Sequence, residues 1–320
     1  MTSGITLRAY QPGDEVAINE GFNTVFALDR GLDEWAWKFR DRGAGRWIAV
    51  AVDESGRVQA HYSAIPVRLV LGDLAVWAGQ VVDCFSLPGV RHTRVFADLY
   101  RVFIENFLRP DLAALLFGFP GRRHFELGRK LLEYAPLGPA PYLSRRVPRW
   151  PLGLTRSGFL TRENWQDEEG GELWGACRAR CRCATVRDTE YLAWRYGERP
   201  GVEYHRVAVE RHGRVHALAV ARVLADRLRV ADLLWDGEDP RAVRALSRAL
   251  DSLARRMRCR TIDAWLGGDP VMHGLLVKED WRMEPGPEDL MRVARTCHSG
   301  IDLDLLARHQ FLTYGDSDLV

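Results

Sequence analysis

Hydrophobic and polar positions alternate with two periods along the chain, and the switches between them mark out elements. ITLRA (5–9) reads as a short strand. Pro12 and Asp14 open a helix that runs into residues 22–30, and Leu32, Trp35 and Phe39 recur at helical spacing in a second helix stopped by Gly43. WIAVAVD (47–53) is a buried-type strand, ESG a turn, and residues 58–65 a second strand. Segments 67–71 and 76–85 predict two more strands around the Gly72-Asp73 turn. The loop LPGVRHTR follows. A helix over 95–107 then places Phe96, Leu99, Val102, Phe103 and Phe107 on one face. An apolar strand over 112–117, the turn FPG and a helix over 122–132 complete this half.

Residues 135–153 contain Pro136, Pro139, Pro141, Pro148 and Pro151, a density that predicts a stiff extended connector. The domains expected on either side are 1–147 and 148–320. Beyond it the pattern predicts a helix over 188–196, strands over 204–210, 215–223 and 228–234, and a helix over 241–257. A strand over 261–266, a helix over 268–277 and edge strands near 282 and 290–294 follow. WAWKF…IAVAVDESGRVQAHYSAI and YLAWRY…HRVAVERHGRVHALAV are parallel texts, which predicts an internal duplication of a unit of roughly 150 residues. The fold class is α/β with mixed sheets: two units, each a mostly antiparallel sheet flanked by helices.

Charge changes this picture little. Across 320 residues, 45 Lys+Arg face 43 Asp+Glu for a net charge of +2, so no global field collects nucleic acid. Lys38, Lys130 and Lys278 are the lysines; nearly all positive charge is arginine, whose planar fork suits phosphate and carboxylate. MTSGITLRAYQPGDE is not a signal peptide and no stretch suits a membrane span, so a cytoplasmic protein without membrane insertion is expected. Cys177, Cys181 and Cys183 lack a CxxC pair or completing ligands, so no metal is expected.

Several stretches, in order, resemble the GNAT acyltransferase superfamily, in particular tandem members that pair two such units. They are GRVQAHYSAIP (56–66), the strand–loop–helix 76–107 centred on Pro88-Gly89-Val90-Arg91-His92-Thr93-Arg94, LLFGFPG (115–121) with its ELGRKLL helix, and TYGDSD (313–318). The resemblance implies an acyl-CoA cosubstrate, acetyl-CoA or another, with its pyrophosphate at the helix N-terminus and its pantetheine arm along the preceding strand. Pro88 and Arg91 match the family's loop; its glycines fall on His92, Arg94 and Phe96. The implied cofactor set is Phe85, Ser86, Leu87, Arg91, His92, Arg94, Val95 and Phe96. In the second half, Asp236, Glu238 and Asp239 stand where phosphate would sit, which places the cofactor in the first half. Asp239 and Pro240 there read as an N-cap and first-turn proline.

The resemblance implies an acyl-CoA-dependent N-acyltransferase, transferring acetyl to an amine of a small molecule or sugar. The base often projects from the strand before the loop, which here offers Asp83, whose proton affinity burial would raise. His124 and Glu126 follow the FPG turn near the family's thiol-facing groups. His61, Cys84 and Tyr134 are further candidates, with a satisfied sheet histidine the preferred reading of His61 and a buried small hydrophobe that of Cys84. Two alternatives stand beside the enzyme: a GNAT-shaped binding or scaffold protein without cofactor, and a relative that transfers aminoacyl groups.

Overall fold

Small and β-branched residues build the first sheet. The structure, a computed structural model, describes residues 4–91, 93–148 and 158–320. The first half runs β1 (Ile5–Ala9), α1 (Glu15–Phe26), α2 (Leu32–Lys38), β2 (Trp47–Asp53), β3 (Val58–Leu71), β4 (Leu74–Ser86), α3 (Val95–Phe107), β5 (Leu115–Gly118), α4 (Arg122–Leu131) and β6 (Ala135–Pro139). The second half runs β7 (Tyr142–Arg146), β8 (Leu160–Glu163), α5 (Asp167–Arg178), β9 (Cys183–Thr185), α6 (Thr189–Leu192), β10 (His205–Arg211), β11 (Arg214–Leu224), β12 (Arg227–Trp235), α7 (Pro240–Arg256) and β13 (Thr261–Trp265). Then come α8 (Pro270–Lys278), β14 (Arg282–Met283), β15 (Met291–Thr296), α9 (Leu303–His309) and β16 (Gln310–Phe311).

Two mixed sheets result, with strand paths β1-β2-β3-β4-β5-β15-β6 and β14-β7-β13-β12-β11-β10-β8. Each path is largely antiparallel and includes a parallel pair, β4/β5 in the first and β12/β13 in the second; β9 and β16 also pair in parallel, off the first path. The chain forms two compact units: residues 1–69, 75–138 and 290–303, and residues 70–74, 139–289 and 304–320.

In the first unit, period-two alternation sends Trp47, Ala49 and Ala51 of β2 and Ala60, Tyr62 and Ala64 of β3 to one face. The alanines leave room for the Leu99, Tyr100 and Phe103 face of α3. Gly79 serves the same closeness inside the sheet: a Cβ there would lie 2.6 Å from Leu116 Cδ2 and 3.0 Å from Ala64 Cβ.

Four expectations are revised. The strands expected over 58–65 and 67–71 are one strand, β3, running through Pro66. The proline-rich segment is not a plain connector: β6 lies at the edge of the first sheet, while β7 sits inside the second between β13 and β14. The units are therefore not consecutive stretches of chain parted at 147/148. The strand expected over 290–294 belongs to the first sheet, where β15 pairs with β5 from Val293–Gly118 to Thr296–Leu115. Residues 188–196 form only the four-residue α6, followed by a π turn over Ala193–Gly197.

Candidate active site

The parallel pair β4/β5 defines the site. Its register runs Ala78–Leu115, Gly79–Leu116 and Gln80–Phe117. β5 ends at Gly118, whereas β4 continues to Ser86 without β5 alongside. On this free extension the backbone departs from a regular strand at Asp83, whose φ is +51°. Side chains of β3 fix the bulge. Ser63 Oγ donates to Val82 O at 2.8 Å, and His61 Nδ1 donates to Asp83 O at 2.8 Å. A carbonyl only accepts, so His61 carries its proton on Nδ1 and its buried Nε2 is bare and without a partner. Burial, opposed by Asp83, pushes this imidazole down to about 4, so it is neutral near pH 7.

Asp83 is not the isolated carboxyl that strand alternation suggests. Lys38 Nζ donates to Oδ1 at 2.8 Å, and Arg30 Nη1 donates to Oδ2. Burial pushes the carboxyl up, but Lys38 and Arg30 outweigh it and hold Asp83 below its ordinary value. The expected rise in proton affinity is therefore reversed, because two cations from the α1–α2 segment meet one anion. Arg30 is held at its Nε, its backbone N and its guanidinium face. Its Nε donates to Asn19 Oδ1 at 2.7 Å, its backbone N donates to Asn23 Oδ1 at 2.9 Å, and its guanidinium carbon lies 3.7 Å from the Phe22 ring centre.

On the other face of the sheet lies a hydroxyl cluster. Tyr62 and Tyr134 join hydroxyls at 2.5 Å, and burial raises both well above the ordinary tyrosine range. Tyr100 OH donates to Leu132 O at 2.6 Å and accepts from Arg295 Nη1 at 2.6 Å. Cys84, one residue past the bulge, lies close enough to feel all three tyrosines electrostatically. His124 packs 6.1 Å from the Tyr134 ring and 6.2 Å from Phe96, and burial lowers its proton affinity. Glu126 lies on the exposed side of α4. Two residues apart on a helix point in different directions, so His124 and Glu126 do not meet.

The loop between β4 and α3 tightens through a 3₁₀ turn at Pro88–Val90. Arg91 is exposed and its Nε donates to Ser86 O at 3.2 Å; Arg94 is also exposed. α3 starts without a side-chain cap, apart from Val95 N donating to Thr93 Oγ1 at 3.3 Å. Its first-turn N–H groups and dipole thus face the loop. Val95 is buried, and Phe96 packs 5.9 Å from Tyr62. Phe85 is turned to the α1 side, stacked 5.3 Å from His61, and Leu87 N donates to Gln59 O at 2.8 Å. Ser86 is half-buried, and His92 lies outside the described residues.

The second unit repeats the frame with a different filling. β12 and β13 pair in parallel from Arg227–Thr261 to Val230–Ala264, and β12 continues to Trp235. Beside that extension lies the chain's own segment 313–317. A Cβ on Gly315 would lie 3.3 Å from Ala231 O and 2.2 Å from Tyr196 OH, so only glycine allows this approach. Asp232 accepts from Arg187 Nε at 2.9 Å, Tyr196 OH at 2.9 Å and Thr313 Oγ1 at 3.0 Å. Arg187 Nη2 also donates to Asp316 Oδ2 at 2.7 Å. Burial pushes the Asp232 carboxyl up, Arg187 opposes, Asp316 adds like charge, and the balance is upward.

At the second loop, Asp239 accepts from Arg241 N and Pro240 opens α7, as expected. His216, Asp236 and Glu238 place one ligand atom each within 4.8 Å of one another, the one such trio among the described residues. Arg214 already lies 3.0 Å from Glu238 and 3.7 Å from Asp236. No helix among the described residues is long and apolar enough to cross a membrane.

The sequence matches no family model and no curated protein. Solved structures do resemble the fold. A protein of unknown function from Enterococcus faecalis V583, described as a probable N-acyltransferase, aligns over 95% of this chain and 74% of its own at 10% identity and TM-score 0.70. A GCN5-related N-acetyltransferase from Anabaena variabilis aligns over 95% and 75% at 11% identity and TM-score 0.70. Saccharomyces cerevisiae N-myristoyltransferase with bound myristoyl-CoA aligns over 92% and 83% at 14% identity and TM-score 0.63. The chain has the GNAT fold.

Proposed function

We propose that the first unit is an acyl-CoA-dependent N-acyltransferase acting on an amine of a small molecule or sugar. The observation that carries this reading is the extension of β4 past β5, bulged at Asp83 and leading straight into the uncapped N-terminus of α3. A pantetheine arm adds to such an edge as a strand would, and a pyrophosphate suits helix N–H groups flanked by Arg91 and Arg94. Structural neighbours that are N-acetyltransferases or bind myristoyl-CoA support an acyl-CoA cosubstrate.

In this reading the amine nitrogen attacks the thioester carbonyl carbon, a C–N bond forms and the C–S bond breaks. The proton released by the amine passes through water to the departing thiolate. The Tyr62–Tyr134 hydroxyl pair, beside Cys84, hydrogen-bonds that thiolate as charge develops. Asp83 serves as a fixed counter-ion and not as the base, since Arg30 and Lys38 occupy both its oxygens. His124, neutral and against Tyr134, positions the hydroxyl; Glu126 takes no part.

The test is release of free CoA from acetyl-CoA and longer acyl-CoAs in the presence of an amine panel. Tyr134→Phe is expected to lower kcat by about tenfold to a hundredfold with little change in KM. Full turnover in Tyr134→Phe removes the tyrosine pair from the mechanism, and no CoA release with any pairing removes the enzyme reading.

A further inference from the structure

The duplication extends to a buried arginine. Arg30 precedes Lys38 by eight residues within RGLDEWAWKF, and Arg187 precedes Arg195 by eight within RDTEYLAWRY. Each arginine pairs with a buried aspartate three residues before the end of the strand that outruns its parallel neighbour: Asp83 on β4 and Asp232 on β12.

The two guanidinium groups differ at one nitrogen. In the second unit, Arg187 Nε holds Asp232, Nη1 donates to Thr185 O at 2.8 Å, and Nη2 holds the Asp316 carboxylate at 2.7 Å. In the first unit, Nε holds Asn19 and Nη1 holds Asp83, while Nη2 is buried without a partner. Arg30 as a whole is only 7% exposed. An arginine fork held this rigidly, with one nitrogen unassigned, is costly unless something completes it. The charges agree. Around Asp83 stand two cations, one anion and a neutral His61, whereas around Arg187 stand two carboxylates. The first unit is one carboxylate short of its copy.

We propose that the first unit binds a ligand carrying a carboxylate, seated on Arg30 Nη2 as the Asp316 carboxylate is seated on Arg187 Nη2. The carboxylate site stands apart from the acyl-transfer reading: Arg30 packs on the α1 side of the sheet, opposite the tyrosine pair, so the acid-bearing ligand is not equated with the acyl acceptor. Segment 313–317 acts as a built-in likeness of that ligand in the copy whose place it fills. In the turn carrying Arg30, residues 26–29 and 31–33 on either side of it are all exposed. Apolar Phe26, Leu28 and Leu32 line that turn and suit a ligand with an apolar part beside its acid.

The experiment compares N-acetylglycine with N-acetylglycinamide on the full chain, by calorimetry and thermal shift at millimolar concentration. These probes differ in the acid group and carry no free amine. Binding and a raised Tm are expected for the acid alone, weakened at least about tenfold in Arg30→Gln and only partly restored in Arg30→Lys, which keeps the charge and loses the fork. Equal responses to acid and amide overturn the proposal, and this comparison stands even if the variants fail to fold. Unchanged affinity in a folded Arg30→Gln chain overturns it as well. Acyl-CoA titrated separately distinguishes the two readings: CoA binding without acid binding removes the carboxylate site alone, and acid binding without CoA release removes acyl transfer alone.

Discussion

The two units place one aspartate at the same point of the same frame and treat it in opposite ways. Asp83 meets two cations and is held below its ordinary proton affinity; Asp232 shares one cation with a second carboxylate and is pushed above it. Beside Asp83, β4 runs on to Ser86 past the end of β5 at Gly118, whereas beside Asp232 the chain supplies its own segment 313–317. On the proposed reading, a duplicated frame becomes one site that takes a ligand and one filled by the chain itself. The difference lies in charge count more than in backbone course.

The largest expected effect comes from removing the shared cation. Arg187→Ala leaves Asp232 and Asp316 buried against each other and is expected to cost about 3–5 kcal/mol in urea denaturation. Arg30→Ala leaves Asp83 still paired with Lys38 and is expected to cost less, about 1.5–3 kcal/mol. Equal losses break the comparison.

Acidification separates the two aspartates next. The folded proton affinity of Asp83 is depressed, so its contribution is present above the unfolded value near 3.8 and lost as pH falls below that. That of Asp232 is raised, so its contribution is fully present below 3.8 and lost as pH rises through the higher folded value. The stability gap between the parent chain and Asp83→Asn should therefore widen from pH 3 to pH 7. The gap to Asp232→Asn should narrow over the same range. Thermal melts of both variants at the two pH values check the sign, and parallel trends contradict it.

The smallest effect concerns the loop. Arg91 is exposed, so Arg91→Ala is expected to weaken acyl-CoA binding by only about threefold to tenfold, more at low salt than at high. A loss independent of salt points to a packing defect instead.

Much of the frame was readable in the residues. The runs at 47–53 and 215–223, the turn at Gly72-Asp73 and the Asp239-Pro240 helix start are local signals, and each formed the element expected. Placement failed where partners are distant. Alternation put Asp83 on an apolar strand but could not show Arg30 and Lys38, which lie 53 and 45 residues away. Proline density at 135–153 signalled extended chain correctly, yet could not tell a connector from two strands in different sheets. The segment Thr313–Ser317 carries no periodicity, so only its contacts with Arg187, Asp232 and Tyr191 reveal its role. One signal was available: aligning WAWKF with LAWRY sets Arg30 beside Arg187, and that pairing leads directly to both aspartates.

The central claim is that one frame is open to acyl-CoA and its copy is closed. Calorimetric titration of the full chain with acetyl-CoA and myristoyl-CoA tests it most directly, with Gly118→Leu as the blocking variant. A Cβ at Gly118 already approaches Val81 Cβ to 3.3 Å, where β4 and β5 last touch. One molecule bound per chain, lost in Gly118→Leu, is the expected result. Two molecules per chain, none, or one that survives Gly118→Leu contradicts the account.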